Sequence, residues 1–130
     1  MSITTASHRP PTIGDLQFDL RNWLNTLRYY REEIMILEHR MEEIARRDNT
    51  SETLAQLEHF QNQYIREREV IDELRHDLKQ HENHLEQEDR DHIVPVEHRA
   101  FEEHGVLRER MLTFEKLYAE LKEEFVAWQA

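Results

Sequence analysis

The most restrictive feature of the sequence is an apolar stripe between Thr12 and Asp48. Large apolar residues recur there at alternating intervals of three and four positions, the period of an α-helix with one buried face. A strand, which alternates every second residue, cannot keep such a stripe on one side. The pattern therefore predicts a long helix over about 13–47, and Thr12 with Asp15 predicts a capping box at its start. The stripe comprises Leu16, Leu20, Trp23, Leu27, Tyr30, Ile34, Leu37, Met41 and Ile44.

Two short interruptions divide the rest of the chain. In residues 48–51, Asn49 is expected to take a left-handed C-cap conformation, and Thr50 or Ser51 to cap the next helix. In residues 91–95, Pro95 is a helix-start signal. The pattern predicts further helices over about 51–90 and about 95–128.

Both later helices carry an apolar stripe of the same kind. On the second helix the stripe comprises Leu54, Leu57, Phe60, Tyr64, Ile71, Leu74, Leu78, His81 and Leu85, with Glu67 in one position where an apolar residue is expected. On the third helix it comprises Ala100, His104, Leu107, Met111, Phe114, Tyr118, Leu121, Phe125 and Trp128.

Because both connections are short, consecutive helices must return antiparallel to one another. We predict an all-α fold, an antiparallel up-down-up bundle of three long helices. A chain of 130 residues is long enough for one core, so residues 12–130 are expected to form a single domain after a flexible tail at 1–11.

The charge balance bears on the classes of partner. The 28 acidic residues outnumber 17 Lys plus Arg, and the formal net charge of −11 disfavours nucleic acid and anionic membrane surfaces. The chain has no cysteine for disulfides or thiol chemistry, and no apolar run of about 20 residues for a membrane span. We expect a cytoplasmic protein that binds neither nucleic acid nor membrane.

Histidines cluster around the second connection. Folding the third helix back on the second places His81 opposite His104, Asp77 opposite Arg108, and Glu88 opposite Glu97. Imidazoles on facing helices can bind a divalent metal such as zinc, with His81, His84 and His104 as candidate ligands. The same residues are also compatible with a hydrogen-bonded structural layer or a proton-sensitive pair. Gly105, inside the third helix, suggests a close backbone approach or a bend at this level.

Glu67 predicts a second polar level near the middle of the bundle. A buried carboxylate needs partners, and Arg31 and the hydroxyls of Tyr30, Tyr64 and Tyr118 are expected to supply them. This level is either a satisfied structural layer or a small-ligand or proton site.

No catalytic or cofactor motif is present, and two glycines cannot form a phosphate-binding loop, so we expect no enzyme activity. The leading hypothesis is a non-catalytic scaffold, adaptor or self-associating bundle, acting through a protein partner or as a homodimer. The alternative is a small metal-binding or pH-responsive bundle that uses the histidine end. Apolar residues expected to remain outside the core are Tyr29, Ile36, Ile65, Val70, Leu112, Leu117 and Val126.

Overall fold

The computed structural model describes residues 11–91 and 98–130, with the side chains of 88–91 and 98 excepted. The described chain forms three helices and no strand: α1 (Ile13–Arg47), α2 (Ser51–Asp91) and α3 (His98–Gln129). The predicted three-helix bundle is confirmed. The predicted start of the third helix at Pro95 and residues 1–10 of the predicted tail lie outside the described residues.

Polar contacts between the helices give their directions. From α1 to α3, Asp19 contacts Arg108 at 3.3 Å and Glu33 contacts Lys122 at 2.9 Å, so these two helices run parallel. Between α2 and α3, His59 contacts Glu124 at 3.2 Å and Asp77 contacts Arg110 at 2.7 Å, so this pair is antiparallel. The chain therefore runs up, down and up.

The predicted capping box opens α1. The Asp15 N–H donates to Thr12 Oγ1 at 3.2 Å, and the Thr12 N–H donates to Asp15 Oδ2 at 2.9 Å. At the other end, the prediction of a left-handed Asn49 is wrong, because no non-glycine residue in the described ranges has a positive φ. The C-cap is Asp48 in an extended conformation, and its carboxylate accepts hydrogen bonds from the Thr50 N–H and the Thr53 hydroxyl.

The three apolar stripes meet in one core, as the spacing predicts. Leu54 is the exception, with 42% of its surface exposed. Two successive steps of three residues lead from Leu54 to Phe60, and at 3.6 residues per turn they rotate Leu54 away from the buried stripe. The most deeply buried apolar side chains include Leu27, Ile34, Met41, Tyr64, Leu74, Leu78, Leu85, Met111, Tyr118 and Phe125.

Candidate functional site

Two histidines form the centre of the site. His81 of α2 and His104 of α3 are 0% and 1% exposed, and they are the buried polar residues of the described chain. Their rings face each other as the sequence predicts, with His81 Nε2 lying 3.0 Å from His104 Nδ1. We call these two residues the histidine pair.

The outer nitrogen of each ring meets a carboxylate. His81 Nδ1 lies 2.5 Å from Glu103 Oε1, and His104 Nε2 lies 2.9 Å from Asp19 Oδ2. Sequence reasoning missed both carboxylates. Glu103 and Asp19 each come one position before a stripe residue, His104 and Leu20, where a helix faces its neighbour. That position limits the candidates to the edges of the stripes, but it does not single out these two carboxylates.

Helix α1 covers the histidine pair from the side. The Trp23 ring centroid lies 4.8 Å from that of His104, and the Arg108 guanidinium lies over the Trp23 ring at 5.9 Å. Arg108 also contacts Asp19. The predicted Asp77–Arg108 pair is therefore wrong. Arg110 is the residue that faces Asp77. Pairing residues by their distance from the turn predicts how far along the bundle a side chain lies, but it does not predict which neighbouring helix that side chain faces.

Hydrogen counting restricts how the histidine pair is bonded. A neutral imidazole has one N–H and one nitrogen lone pair. If His81 donates to Glu103 and His104 donates to Asp19, the two nitrogens that face each other both carry lone pairs. A hydrogen bond between them then needs an extra proton, the His81 hydrogen on Nε2, or the His104 hydrogen on Nδ1. In the second arrangement, the lone pair of His81 Nδ1 faces Glu103 Oε1 at 2.5 Å, and the two repel each other unless a cation separates them.

Burial and hydrogen bonding set the charge states around the pair. Burial lowers the pKa of His104, while the hydrogen bond to Asp19 acts in the opposite direction without cancelling the effect. Burial acts to raise the pKa of Glu103, but its hydrogen bonds with His81 and His84 outweigh this and leave the pKa below its usual value. The site therefore favours a neutral His104 and an ionised Glu103.

Glu103 and two histidines form a group that could hold a metal ion. The ligand atoms offered by His81, His84 and Glu103 all lie within 4.8 Å of one another, and His84 Nδ1 is 3.2 Å from Glu103 Oε1. The structure thus brings two of the three predicted metal ligands together. It places the third, His104, behind the His81 ring, where both of its nitrogens face other groups. The side chain of Glu88 and residue Glu97 lie outside the described residues.

The polar level in the middle of the bundle is built around a different carboxylate than predicted. Glu33 Oε1 accepts a hydrogen bond from the Tyr118 hydroxyl at 2.7 Å, and Oε2 accepts one from Lys122 at 2.9 Å. Arg31 pairs with Asp72 instead. Glu67 is half-buried, and burial raises its pKa despite the opposing charge of Arg66. The prediction of Glu67 with Arg31 at the centre of this level is therefore wrong.

Gly105 has a simpler surrounding than its sequence position suggests. Apart from its chain neighbours and its own helix backbone, a Cβ atom built on it would meet no heavy atom within 4 Å, so the close backbone approach is wrong, and the alternative of a bend stays a prediction.

In comparisons with known proteins, no family model, no curated protein and no solved structure matches the chain. Over the described residues, none of the helices contains an apolar stretch long enough to cross a membrane.

Proposed function

We propose that the protein is a non-catalytic helical bundle that binds a divalent transition-metal ion of the zinc class at His81, His84 and Glu103. The observation that carries this proposal is the convergence of two imidazole nitrogens and one carboxylate oxygen within 4.8 Å. Imidazole and carboxylate are ordinary zinc ligands, and a site with three protein ligands leaves one position for water.

The histidine pair supports the proposal through its hydrogen-bond directions. A histidine that binds metal through one nitrogen usually donates a hydrogen bond from the other. With the ion on His81 Nδ1, the Nε2–H of His81 donates to His104 Nδ1, and the Nε2–H of His104 donates to Asp19. Every ring nitrogen of the buried pair then has a partner, and His104 stays neutral, in agreement with its lowered pKa.

The ligand distances can be compared with those of a zinc site. With zinc–nitrogen bonds of about 2.0–2.1 Å, two ligand atoms on a tetrahedral ion lie about 3.3 Å apart. The separation of 3.2 Å between His84 Nδ1 and Glu103 Oε1 meets this requirement, whereas the 2.5 Å between His81 Nδ1 and Glu103 Oε1 is shorter, so Glu103 must move away from His81 when an ion binds. The His84 side chain is 56% exposed, so it can turn toward an ion without disturbing the core.

Calorimetric titration with Zn²⁺, with Co²⁺ as a spectroscopic substitute, tests the proposal. We expect one ion per chain and binding at least about tenfold weaker in His84→Gln. The matched control is His59→Gln, because His59 contacts Glu124 at 3.2 Å across the same two helices, and no metal-ligand group in the described chain includes it. The absence of binding in the unmodified protein, or equal losses in the two variants, would rule the site out.

We propose self-association as a second function, because a row of residues at seven-residue spacing runs along the outer face of α3. The row comprises Gly105, Leu112, Ala119 and Val126. In an antiparallel contact with a second copy centred between residues 115 and 116, Leu112 lies opposite Ala119. Val126 then lies opposite Gly105, so large residues meet small ones. Leu112 and Val126 are 55% and 52% exposed. Tyr29 and Ile36 of α1 are also exposed.

Light scattering across salt concentrations tests this second proposal. Each copy carries a net charge of −11, so salt should screen the repulsion between copies and strengthen a dimer held by apolar residues. We expect Leu112→Glu to prevent dimer formation. Val106→Glu, at an exposed position of α3 outside this row, should leave it unchanged. A monomer at every salt and protein concentration would end the proposal.

A further inference from the structure

A groove between α1 and α2 collects positive charge in an otherwise acidic protein. The groove has a volume of about 350 Å³. One acidic side chain, Glu82, lines it together with five cationic side chains, although the chain as a whole has a net charge of −11. We call this feature the cationic groove; its cations are Arg21, Arg28, Arg31, Arg75 and Lys79.

Three of these cations have no carboxylate partner in the part of the chain that the structure describes. Arg31 pairs with Asp72, and the Lys79 ammonium lies 3.7 Å from Glu82. By contrast, no described acidic group lies within salt-bridge distance of Arg21, Arg28 or Arg75.

The floor of the cationic groove is apolar. Its apolar surface comes from the half-buried Leu24, while Leu27 and Ile71, each 1% exposed, lie beneath it as part of the core. Guanidinium groups at the rim and aliphatic side chains at the base form a site that can accept a molecule with an anionic end and an apolar body. Its volume lies within the range of small-molecule sites, about 300–1,000 Å³.

We propose that the cationic groove binds a small organic phosphate, with its phosphate group on Arg28 and Arg75 and its apolar part on Leu24 at the floor. Guanidinium groups bind phosphate through paired N–H donors, which a point-charged ammonium cannot match. Nucleic acid is disfavoured as the occupant, because the acidic remainder of the surface repels an extended polyanion. This site is separate from the proposed metal site and does not depend on it.

Calorimetric titration with phenyl phosphate and with inorganic phosphate tests the proposal. The measurements are made at constant ionic strength and with a chelator present, so that neither charge screening nor a bound metal contributes. We expect saturable binding of both probes, with phenyl phosphate binding at least about threefold more tightly because its ring covers the apolar floor. Failure of either probe to saturate the protein, or equal affinities for the two, would overturn the proposal.

Variants at the rim separate the groove from general electrostatics. We expect Arg28→Gln and Arg75→Gln each to weaken phenyl phosphate binding at least about tenfold. Arg66→Gln, which removes an exposed arginine of α2 outside the groove, should leave the affinity within about twofold. Equal losses in all three variants would overturn the proposal, as would tighter binding of a short DNA duplex than of phenyl phosphate. Thermal melting of the free variants verifies folding, since the loss of one like charge from the groove should not lower stability.

Discussion

Polar groups are buried at two levels of this bundle, and the two levels differ in how completely those groups are hydrogen-bonded. At the histidine pair, each ring nitrogen faces a polar atom, so the level forms a connected series from Glu103 to Asp19. In the middle of the bundle, the Tyr118 hydroxyl is bonded to Glu33, but the Tyr64 hydroxyl is buried without a hydrogen-bond partner. Each histidine of the pair supplies a hydrogen-bonding partner to the other, whereas the Tyr64 hydroxyl in the middle level makes no hydrogen bond.

Burial of a polar side chain does not by itself indicate a functional site. Tyr64 and Tyr118 lie among aromatic rings, with the Tyr64 and Phe125 ring centroids 6.1 Å apart, and their apolar surface fills the core. His81 of the histidine pair instead contacts Glu103, which is half-exposed and lies beside the exposed His84, so the buried pair is connected to groups that solvent and ions can reach. Substitutions at the two levels should therefore have different consequences.

The apolar layer between the two levels sets the scale for these substitutions. Leu27 and Leu74 are each 1% exposed, and we expect truncation of either to alanine to lower the free energy of unfolding by about 2–5 kcal/mol. Thermal and denaturant melts measure the loss. Gln56→Ala, at an exposed position of α2, is the control, and losses no larger than that of the control would refute the assigned stripes.

The next largest effect is expected at the histidine pair. His104→Leu keeps a similar volume but leaves the buried Nε2 of His81 without a partner, at an expected cost of about 1–3 kcal/mol. Denaturant unfolding at neutral pH measures it, with the surface substitution His59→Gln as the comparison. A His104→Leu protein as stable as the unmodified one would mean that the bonded series is not stabilising.

Two tyrosine substitutions at the middle level should differ from each other. Tyr118→Phe removes a hydrogen bond to Glu33 and is expected to cost about 1 kcal/mol. Tyr64→Phe removes a hydroxyl that has no partner, so we expect an effect near zero or a small gain in stability. Equal losses in the two variants, measured by the same denaturant unfolding, would contradict the difference in bonding.

A smaller effect should appear as a dependence on pH. Burial acts to raise the pKa of Glu33, but hydrogen bonds from Lys122 and Tyr118 outweigh it and hold the pKa below its usual value. A carboxyl group with a lowered folded pKa adds stability above its unfolded pKa of about 4.3, and that stability is lost as the pH falls through the folded value. The stability difference between the unmodified protein and Glu33→Gln should therefore be largest near neutral pH and shrink in acid. Glu32→Gln, at the exposed neighbouring position, should show a smaller change.

The sequence predicts the fold well because each helix carries one stripe with a constant period. His81 opposite His104 follows from the same periodicity, since both are stripe residues near the second connection. Glu103, Asp19 and Glu33 do not follow from it. They lie at the edges of the stripes, where the rotation of each helix decides which neighbour a side chain meets. Counting residues gives the level of a side chain but not that rotation, as the Arg108 and Arg110 outcome illustrates.

The proposed metal site requires the histidine pair to direct the Nδ1 atom of His81 toward an ion held with His84 and Glu103. Imidazole ¹⁵N spectra of the chelated and zinc-saturated protein test this requirement, because they identify which nitrogen of each ring carries hydrogen, a lone pair or metal. We expect zinc to bind His81 and His84 through Nδ1, and His81 Nε2 and His104 Nε2 to carry hydrogen. Unchanged His81 signals at saturating zinc, or binding through His81 Nε2, would contradict this requirement.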